Sequence, residues 1–546
     1  MESSETVSFD ILFVGAGPAT LSCVYKLMQL SEEYNQSNKN GKKINLENRI
    51  CIIEKGSSVG SHTLSGALVE ESELCQLLGV SVELLPFVIG RIKQDNVCFL
   101  TSKKSIRVPF SPPSMKNKNN FVISISKFCK YISEILEKNG IPIICGESAD
   151  DLILKDKRVC GIKTFKKHVE NNLEDENGLT IESMVTVLGE GSNGYLTERL
   201  LQDIDLTSKI PRTYELGIKE LYERVDPLSY DGNDHCYHTI GYPLIQSGDS
   251  GGGFIYSTSK YVTIGLAAHL HTKNNDFNLH KHLQSYKEHP LVKNELKGTR
   301  LVEYGAKTMP CGSFSAHNKF VTDGALLIGD CAGLVDTMRL KGVGNAIGSG
   351  VIAAKALFNA LVEENYSKDV LQSYENDLIK SNFFKRFKNA DGFSQAISST
   401  MPFPALPLVG LQAILGGKLI HKLVKTVPDY KRIRKIATNN KVDECWHSSN
   451  HFEKEKSVYY SNLIHTCLIK KHISIKDYGK CEKCRLLYGA PCRSFCPAGV
   501  YLLENNKISV SSDNCIHCRT CSLKCPFLNV NWEIPSGGVG PRYLNM

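Results

Sequence analysis

The chain runs to 546 residues, carries a formal net charge of +8, and is 42% hydrophobic and 22% charged. At roughly 100–200 residues per domain that length predicts several structural units, and the composition is that of a globular protein. A charge so modest gives no electrostatic footprint of a nucleic-acid binder.

Met1 to Asp10 is acidic and polar and runs straight into a strand. It has neither the basic start of a secretory signal nor the arginine-rich amphipathic character of a transit peptide. No apolar stretch reaches the ~18 residues of a membrane-spanning helix. The nearest, Met401 to Gly417, is broken by proline and glycine and stops at Lys418. There is no internal repeat.

Phe9 to Val14 (FDILFV) is a short apolar strand, followed by Gly15-Ala-Gly17-Pro18-Ala19-Thr20 and a helical run from Leu21 to Leu30. Strand, glycine turn and helix start form the dinucleotide-binding fingerprint. Gly15 makes the turn, Gly17 lets backbone approach a pyrophosphate, and the helix amino terminus receives its charge. Thr20 stands at the third glycine position, which governs helix–strand packing. The strand Arg49 to Glu54 (RICIIE) ends in Glu54, suited to a ribose hydroxyl, with Lys55 beside it; Ser31 to Asn48 is a polar insertion.

Further on, Val187 to Gly194 (VLGEGSNG) reads as a third strand and nucleotide-side turn. The middle region, Pro211 to Met309, mixes alternating strand patterns with a helical stretch near Leu279 to Lys297. It predicts a sheet domain inserted between the strands of the dinucleotide-binding unit, shaping a substrate pocket. Gly324 to Asp330 (GALLIGD) is an apolar strand ending in Gly-Asp. After it come Gly333, Gly342, Gly344, Asn345, Gly348 and Gly350, opening a helix to Phe358. Asp330 can hydrogen-bond a ribityl hydroxyl, and a glycine-rich helix start can face a reduced flavin ring. This choice of residues points to FAD rather than NAD.

The tail is the most specific stretch. It reads Cys481-x2-Cys484-x7-Cys492-x3-Cys496-Pro497, then Cys515-x2-Cys518-x2-Cys521-x3-Cys525-Pro526. The second run has the bacterial ferredoxin spacing, in which three thiolates close on one [4Fe–4S] cube and the fourth, before proline, reaches the other. The first run is the same pattern with an insertion. The spacing therefore predicts two clusters, one on Cys481, Cys484, Cys492 and Cys525, the other on Cys496, Cys515, Cys518 and Cys521. Zinc would need two closed ligand pairs and has no use for the Cys-Pro endings. Disulfides would need an oxidising compartment. Twenty cysteines in all leave twelve outside the tail, without paired spacing, as reduced core residues.

Taken with Ser61-His62-Thr63-Leu64-Ser65-Gly66, His238 to Leu244, Gly251-Gly252-Gly253-Phe254, Cys496 to Tyr501 and Asn531 to Pro541, the chain resembles the electron-transfer flavoprotein:ubiquinone oxidoreductase family over nearly its whole length. The Gly-Asp form at Asp330 is nearer to bacterial relatives and geranylgeranyl reductases. The resemblance implies that His62, Thr63, Ser65 and Gly66 lie by the isoalloxazine ring and that Gly251 and Gly252 border a quinone. It implies electron-transfer flavoprotein as donor and the membrane quinone pool as acceptor. It implies one cluster, on Cys496, Cys515, Cys518 and Cys521; the second rests on spacing alone.

The expected fold is α/β, a Rossmann-like FAD-binding domain of the glutathione-reductase/hydroxylase type with an inserted sheet and a ferredoxin-like carboxyl-terminal domain. The expected bounds are 1–210 and 310–390 for the FAD domain, 211–309 for the quinone sheet, 391–465 for a membrane-surface helical segment and 466–546 for iron–sulfur. Phe393 to Leu415 is apolar, and His421 to Lys441 carries Lys422, Lys425, Lys431, Arg432, Arg434, Lys435 and Lys441. That pairing suits a monotopic protein on an anionic leaflet, expected at the cytoplasmic face of a prokaryotic inner membrane. No acid–base pair is singled out. The rival readings are an isoprenoid-lipid reductase with a fused ferredoxin, and a redox sensor or scaffold that does not turn over.

Overall fold

The computed structural model describes residues 6–38, 41–109, 116–164, 178–204, 211–311, 319–337, 341–389, 427–436, 448–465 and 471–546. The apolar stretch Phe393 to Leu415 and Lys422, Lys425 and Lys441 lie outside them.

The flavin-type sheet has eight strands. Its centre is Thr6–Val14, parallel on one side to Thr180–Leu188 and on the other to Ile50–Glu54. Ile143–Cys145 extends one edge and Ala325–Leu327 the other, also parallel. Strands covered on both faces read as unbroken apolar runs, and Ile11, Leu12 and Phe13 are wholly buried. The hairpin Ala149–Lys155 and Arg158–Thr164 adds an antiparallel flank. The helix after the first glycines spans Pro18–Ser37, beyond the expected Leu30, with Pro18 at its first turn, where the missing N–H costs nothing.

The second apolar helix, Val343–Glu363, crosses the first at close range. A Cβ built on Gly350 would stand 2.1 Å from the Ala19 carbonyl oxygen, so only glycine permits this approach. By length and composition this helix could span a membrane, which the sequence reading did not count; two-thirds of it (67%) is buried inside the protein. It is a core helix.

The inserted sheet is larger than its expected bounds. Its seven strands include Gln94–Leu100 and Ser105–Arg107 from the first segment, with Gln94–Leu100 parallel to His235–Gly241. The expected helical stretch is two helices, Leu279–Glu288 and Pro290–Glu295. Pro290 cannot donate to a continuing ladder, and the His289 side chain caps the new start by accepting from Leu291 N–H at 3.2 Å.

The cysteine-rich tail docks on both. Ile473–Ile475 pairs with Val530–Trp532, and the chain then runs back through the flavin domain. Gly538 N–H donates to Lys55 O at 2.8 Å and Tyr543 N–H to Ser61 O at 2.9 Å. The Ser148 hydroxyl donates to Pro535 O at 2.8 Å. Met546 is fully buried, its main-chain oxygen accepting from both the Ser124 and Ser126 hydroxyls at 3.2 Å.

Gly350→Val should force the two apolar helices apart and lower stability by about 1–3 kcal/mol or more, as overpacking does. Urea unfolding of parent and variant checks it; an unchanged midpoint would contradict the close crossing.

Candidate functional site

A cleft opens at the carboxyl ends of the parallel strands, where open α/β sheets bind ligands. Its empty volume is about 1080 Å³, open mouth included. Gly15 adopts φ +92°, and a Cβ there would lie 2.7 Å from Gly189 O. On Gly17 a Cβ would meet nothing nearer than Gly189 O at 4.0 Å, so that space belongs to the cleft. Gly189 in turn lies against the Thr20 hydroxyl, which is how a threonine serves at the third glycine position. The Glu54 carboxylate is already engaged: it accepts from Ala16 N–H at 2.7 Å and Gly56 N–H at 2.6 Å, fixing both loops.

Lys55, His62, Thr63, Lys307, Asp330 and Trp532 complete the walls. Burial pushes the Lys55 ammonium down to about 8, with Lys307 adding to the effect and Glu54 opposing it. Burial also lowers Lys307, against the pull of Glu54 and Asp330, and raises the Asp330 carboxyl against Lys307. The helix at Pro18 has no side-chain cap on its amino terminus. Two partly buried cations, open helix N–H groups and a glycine cradle with free space suit an anionic dinucleotide. FAD fits.

A second space of about 1180 Å³ shares Gly17, Pro18, Thr63 and Asp330 with the first. It continues over Ala19, Ser65, Gly66 and Gly342 to Phe254, Tyr256, Ala267 and Met309 of the inserted sheet. Thr63, Leu64, Ser65 and Gly66 thus lie between the glycine turn of the first sheet and the inserted sheet. Gly251 and Gly252 stay outside this lining; they begin the strand Gly251–Ser257 and pair with Ala268 and Ala267. Gly344 packs beneath the Glu73 carboxylate. Asn345 is buried, donating to Leu334 O at 2.9 Å, and so props the glycine loop from behind.

Sequence reasoning missed several residues here. Lys307 sits in an ordinary alternating strand pattern, and Lys219 in another; Lys219 donates to Ser65 O at 2.8 Å. His517 lies inside the second cysteine run, the one signal available for it. His62 and His517 meet edge to face with centroids 5.7 Å apart, and His517 and His472 at 4.8 Å. Burial first, then the nearby lysine charges, hold all three imidazoles below their ordinary range, His472 at about 4. They are neutral at physiological pH.

The eight tail cysteines fall into two sets. Burial raises the Cys515 thiol, Cys518, Cys521 and Cys496 add to the rise, and the His517 N–H opposes it. Burial raises the Cys492 thiol, Cys484, Cys525 and Cys481 add to the rise, and Arg493 opposes it. The Cys515 set adjoins the flavin cleft: Thr308, next to Lys307, donates its hydroxyl to Cys518 O at 2.7 Å. Among the described residues every cysteine is free of disulfides.

Fold and site define a flavoprotein oxidoreductase with an iron–sulfur domain. The chain belongs to the electron transfer flavoprotein-ubiquinone oxidoreductase family. The Pseudomonas aeruginosa enzyme of that name is 31% identical, over 99% of this chain and 100% of its own. The mitochondrial enzyme of Dictyostelium discoideum is 32% identical, over 98% of this chain and 90% of its own. The family's 4Fe-4S model matches residues 449–544 and its ubiquinone-binding model residues 214–309. In fold, a geranylgeranyl bacteriochlorophyll reductase-like protein from Thermoplasma acidophilum superposes with a TM-score of 0.56 at 18% identity, covering 76% of this chain and 94% of that one.

Burial lowers the Lys219 ammonium to about 8, with Glu303 opposing. Between about pH 8 and the unfolded value near 10.4 the unfolded chain binds the extra proton, so this lysine's contribution to stability rises with pH there. The stability difference between the parent and Lys219→Met should be flat below pH 8 and then shift in the parent's favour toward pH 10.5. Urea titrations across that range check it, and a flat difference throughout would contradict the burial.

Proposed function

We propose that the chain is a membrane-associated electron-transfer flavoprotein:quinone oxidoreductase, taking electrons from reduced electron-transfer flavoprotein through iron–sulfur and FAD to a quinone. The carrying observation is the Thr308–Cys518 hydrogen bond, which sets the cysteine-rich domain directly behind the cleft wall made by Lys307. The full-length relatives favour this over an isoprenoid-lipid reductase or a non-catalytic sensor.

In this reading Gly15, Gly17, Pro18 and Ala19 present backbone to the FAD pyrophosphate. Lys55 and Lys307 supply positive charge, and Asp330 accepts from the ribityl chain. Glu54 takes a ribose hydroxyl on lone pairs its two backbone bonds leave available. Gly342 faces the ring, with Gly344 and Asn345 shaping the loop behind it. Cys496, Cys515, Cys518 and Cys521 hold the family's cluster. FAD, when bound, converts between one- and two-electron transfer. The protein's part is to orient and to exclude water: His62, anchored to Val539 O at 3.0 Å, and the Ser65 loop, anchored by Lys219, close one side. Phe254, Tyr256, Ala267 and Met309 give the quinone ring an apolar wall. Gly251 and Gly252 act one strand away, by letting Ala267 sit close.

For the membrane, Lys431, Arg434 and Lys435 are exposed, and Arg432 partly so. Arg432 and Arg434 crowd Lys273 enough to lower its ammonium, so the patch is strongly positive. It suits an anionic leaflet. The matched relatives come from a bacterium and from mitochondria alike.

Two outcomes follow. Gly17→Leu fills the pyrophosphate's space and should yield a protein that retains its iron but releases no FAD on denaturation and lacks quinone reductase activity; a flavin-replete, active variant would displace the FAD site. Replacing Lys431, Arg432, Arg434 and Lys435 with Gln should weaken flotation with anionic liposomes by up to about 1 kcal/mol per charge. Unchanged flotation would remove this patch from the membrane contact.

A further inference from the structure

The second cysteine set has a site of its own. Cys481, Cys484, Cys492 and Cys525 wall a cavity with an empty volume of about 420 Å³, mouth included, whose remaining lining is chiefly apolar, Phe495, Tyr501 and Val530 among it. Two N–H groups of Asn529 point at sulfur: the backbone to Cys525 at 3.3 Å and the side chain to Cys481 at 3.2 Å. N–H···S bonds of this kind tune an iron–sulfur cluster's potential.

The relation between the sets is reciprocal. The short helix Cys492–Phe495 ends on Cys496, whose N–H bonds Cys492 O at 3.2 Å. The helix Thr520–Lys524 ends on Cys525, whose N–H bonds Cys521 O, also at 3.2 Å. The two helices touch. Each therefore carries one ligand of either set, one turn or about 5.4 Å apart. Both sets take three cysteines from one run and the proline-adjacent one from the other, as in two-cluster ferredoxins. The sets differ in depth. Cys496, Cys515, Cys518 and Cys521 are all buried, whereas Cys481 and Cys492 are partly exposed, on a surface where Glu482 and Lys483 are open to solvent.

We infer that Cys481, Cys484, Cys492 and Cys525 hold a second [4Fe–4S] cluster, which the family's 4Fe-4S domain does not by itself assign, and that this outer cluster is the port where electrons arrive. The route from the donor rests on the function proposed above; the cluster does not. One electron at a time leaves the reduced flavoprotein, lowers the outer cluster's charge by one, and passes to the inner cluster across the two shared helices. No bond forms or breaks, and no proton need move.

The test uses the full chain with FAD, purified anaerobically, with iron, acid-labile sulfide and zinc counted per chain. Two cubes predict about eight irons and eight sulfides. Four irons with no zinc, or four irons and one zinc, would overturn the second cluster. Cys525→Ala and, from a different helix, Cys484→Ala should each bring the count toward four and abolish the spin–spin coupling that the fully reduced parent shows. These counts need no turnover, so a failure to reduce quinone leaves them standing. The port is read separately. In Cys484→Ala, FAD reduction by reduced electron-transfer flavoprotein should slow at least tenfold, while dithionite still reduces the flavin. An unchanged rate with iron lowered to four would overturn the port.

Discussion

The arrangement of the whole molecule depends on how the tail is tied back over the flavin domain. Thr308 bonds Cys518 O, Ser148 bonds Pro535 O, Lys55 O accepts from Gly538, and Ser124 and Ser126 hold Met546. Each joins residues far apart in sequence, and their net worth is about 1 kcal/mol apiece. What they secure is geometry. Gly537 lies against the Gly146 carbonyl so closely that a Cβ would stand 1.9 Å from it. With that seam closed, Trp532 and Ile534 become part of the cleft wall. His62 of the cleft wall then meets His517, whose N–H lies 3.4 Å from Cys515 Sγ.

The boundary between cleft and tail is electrostatically prepared. Adding an electron to a buried centre is costly unless fixed positive charge or dipoles receive it. Lys55 and Lys307 are such charges, and backbone donors such as His517 N–H, 3.4 Å from Cys515 Sγ, are such dipoles. The three imidazoles His62, His517 and His472 are kept neutral by burial and by those same lysines. They fill the space between the cleft and Cys515 without adding charge that moves with pH. The outer cysteine set lies in an apolar cavity with access to solvent, where a partner can reach it.

Much of this was legible in the sequence because ligand chemistry constrains spacing tightly. The crossing of Cys496 and Cys525 between sets follows from the position of each proline, and the glycine turn at Gly15 and Gly17 follows from the strand before it. What was illegible depends on distant segments. Nothing in Gln94–Leu100 announces that it joins a sheet some 140 residues later, parallel to His235–Gly241. Lys219 and Lys307 look like outward residues of alternating strands, yet face a neighbouring domain. The Gly251–Gly252 pair suggested close contact with a ligand, but the close contact is with Ala267 and Ala268. The helix from Val343 was expected to end at Phe358, short of membrane length, and it runs on to Glu363; its Gly350 packs against Ala19 of the first helix.

The central claim is spatial: an inner iron–sulfur centre lies between the flavin and an outer one. Anomalous diffraction at the iron edge from anaerobic crystals of the holoprotein tests it most directly. Two iron peaks should appear, one among Cys496, Cys515, Cys518 and Cys521 behind His517 and Lys307, the other among Cys481, Cys484, Cys492 and Cys525, with the flavin ring beside His62 and Ser65. A single iron peak, or a flavin ring on the far side of the inner centre from His62, would contradict the account.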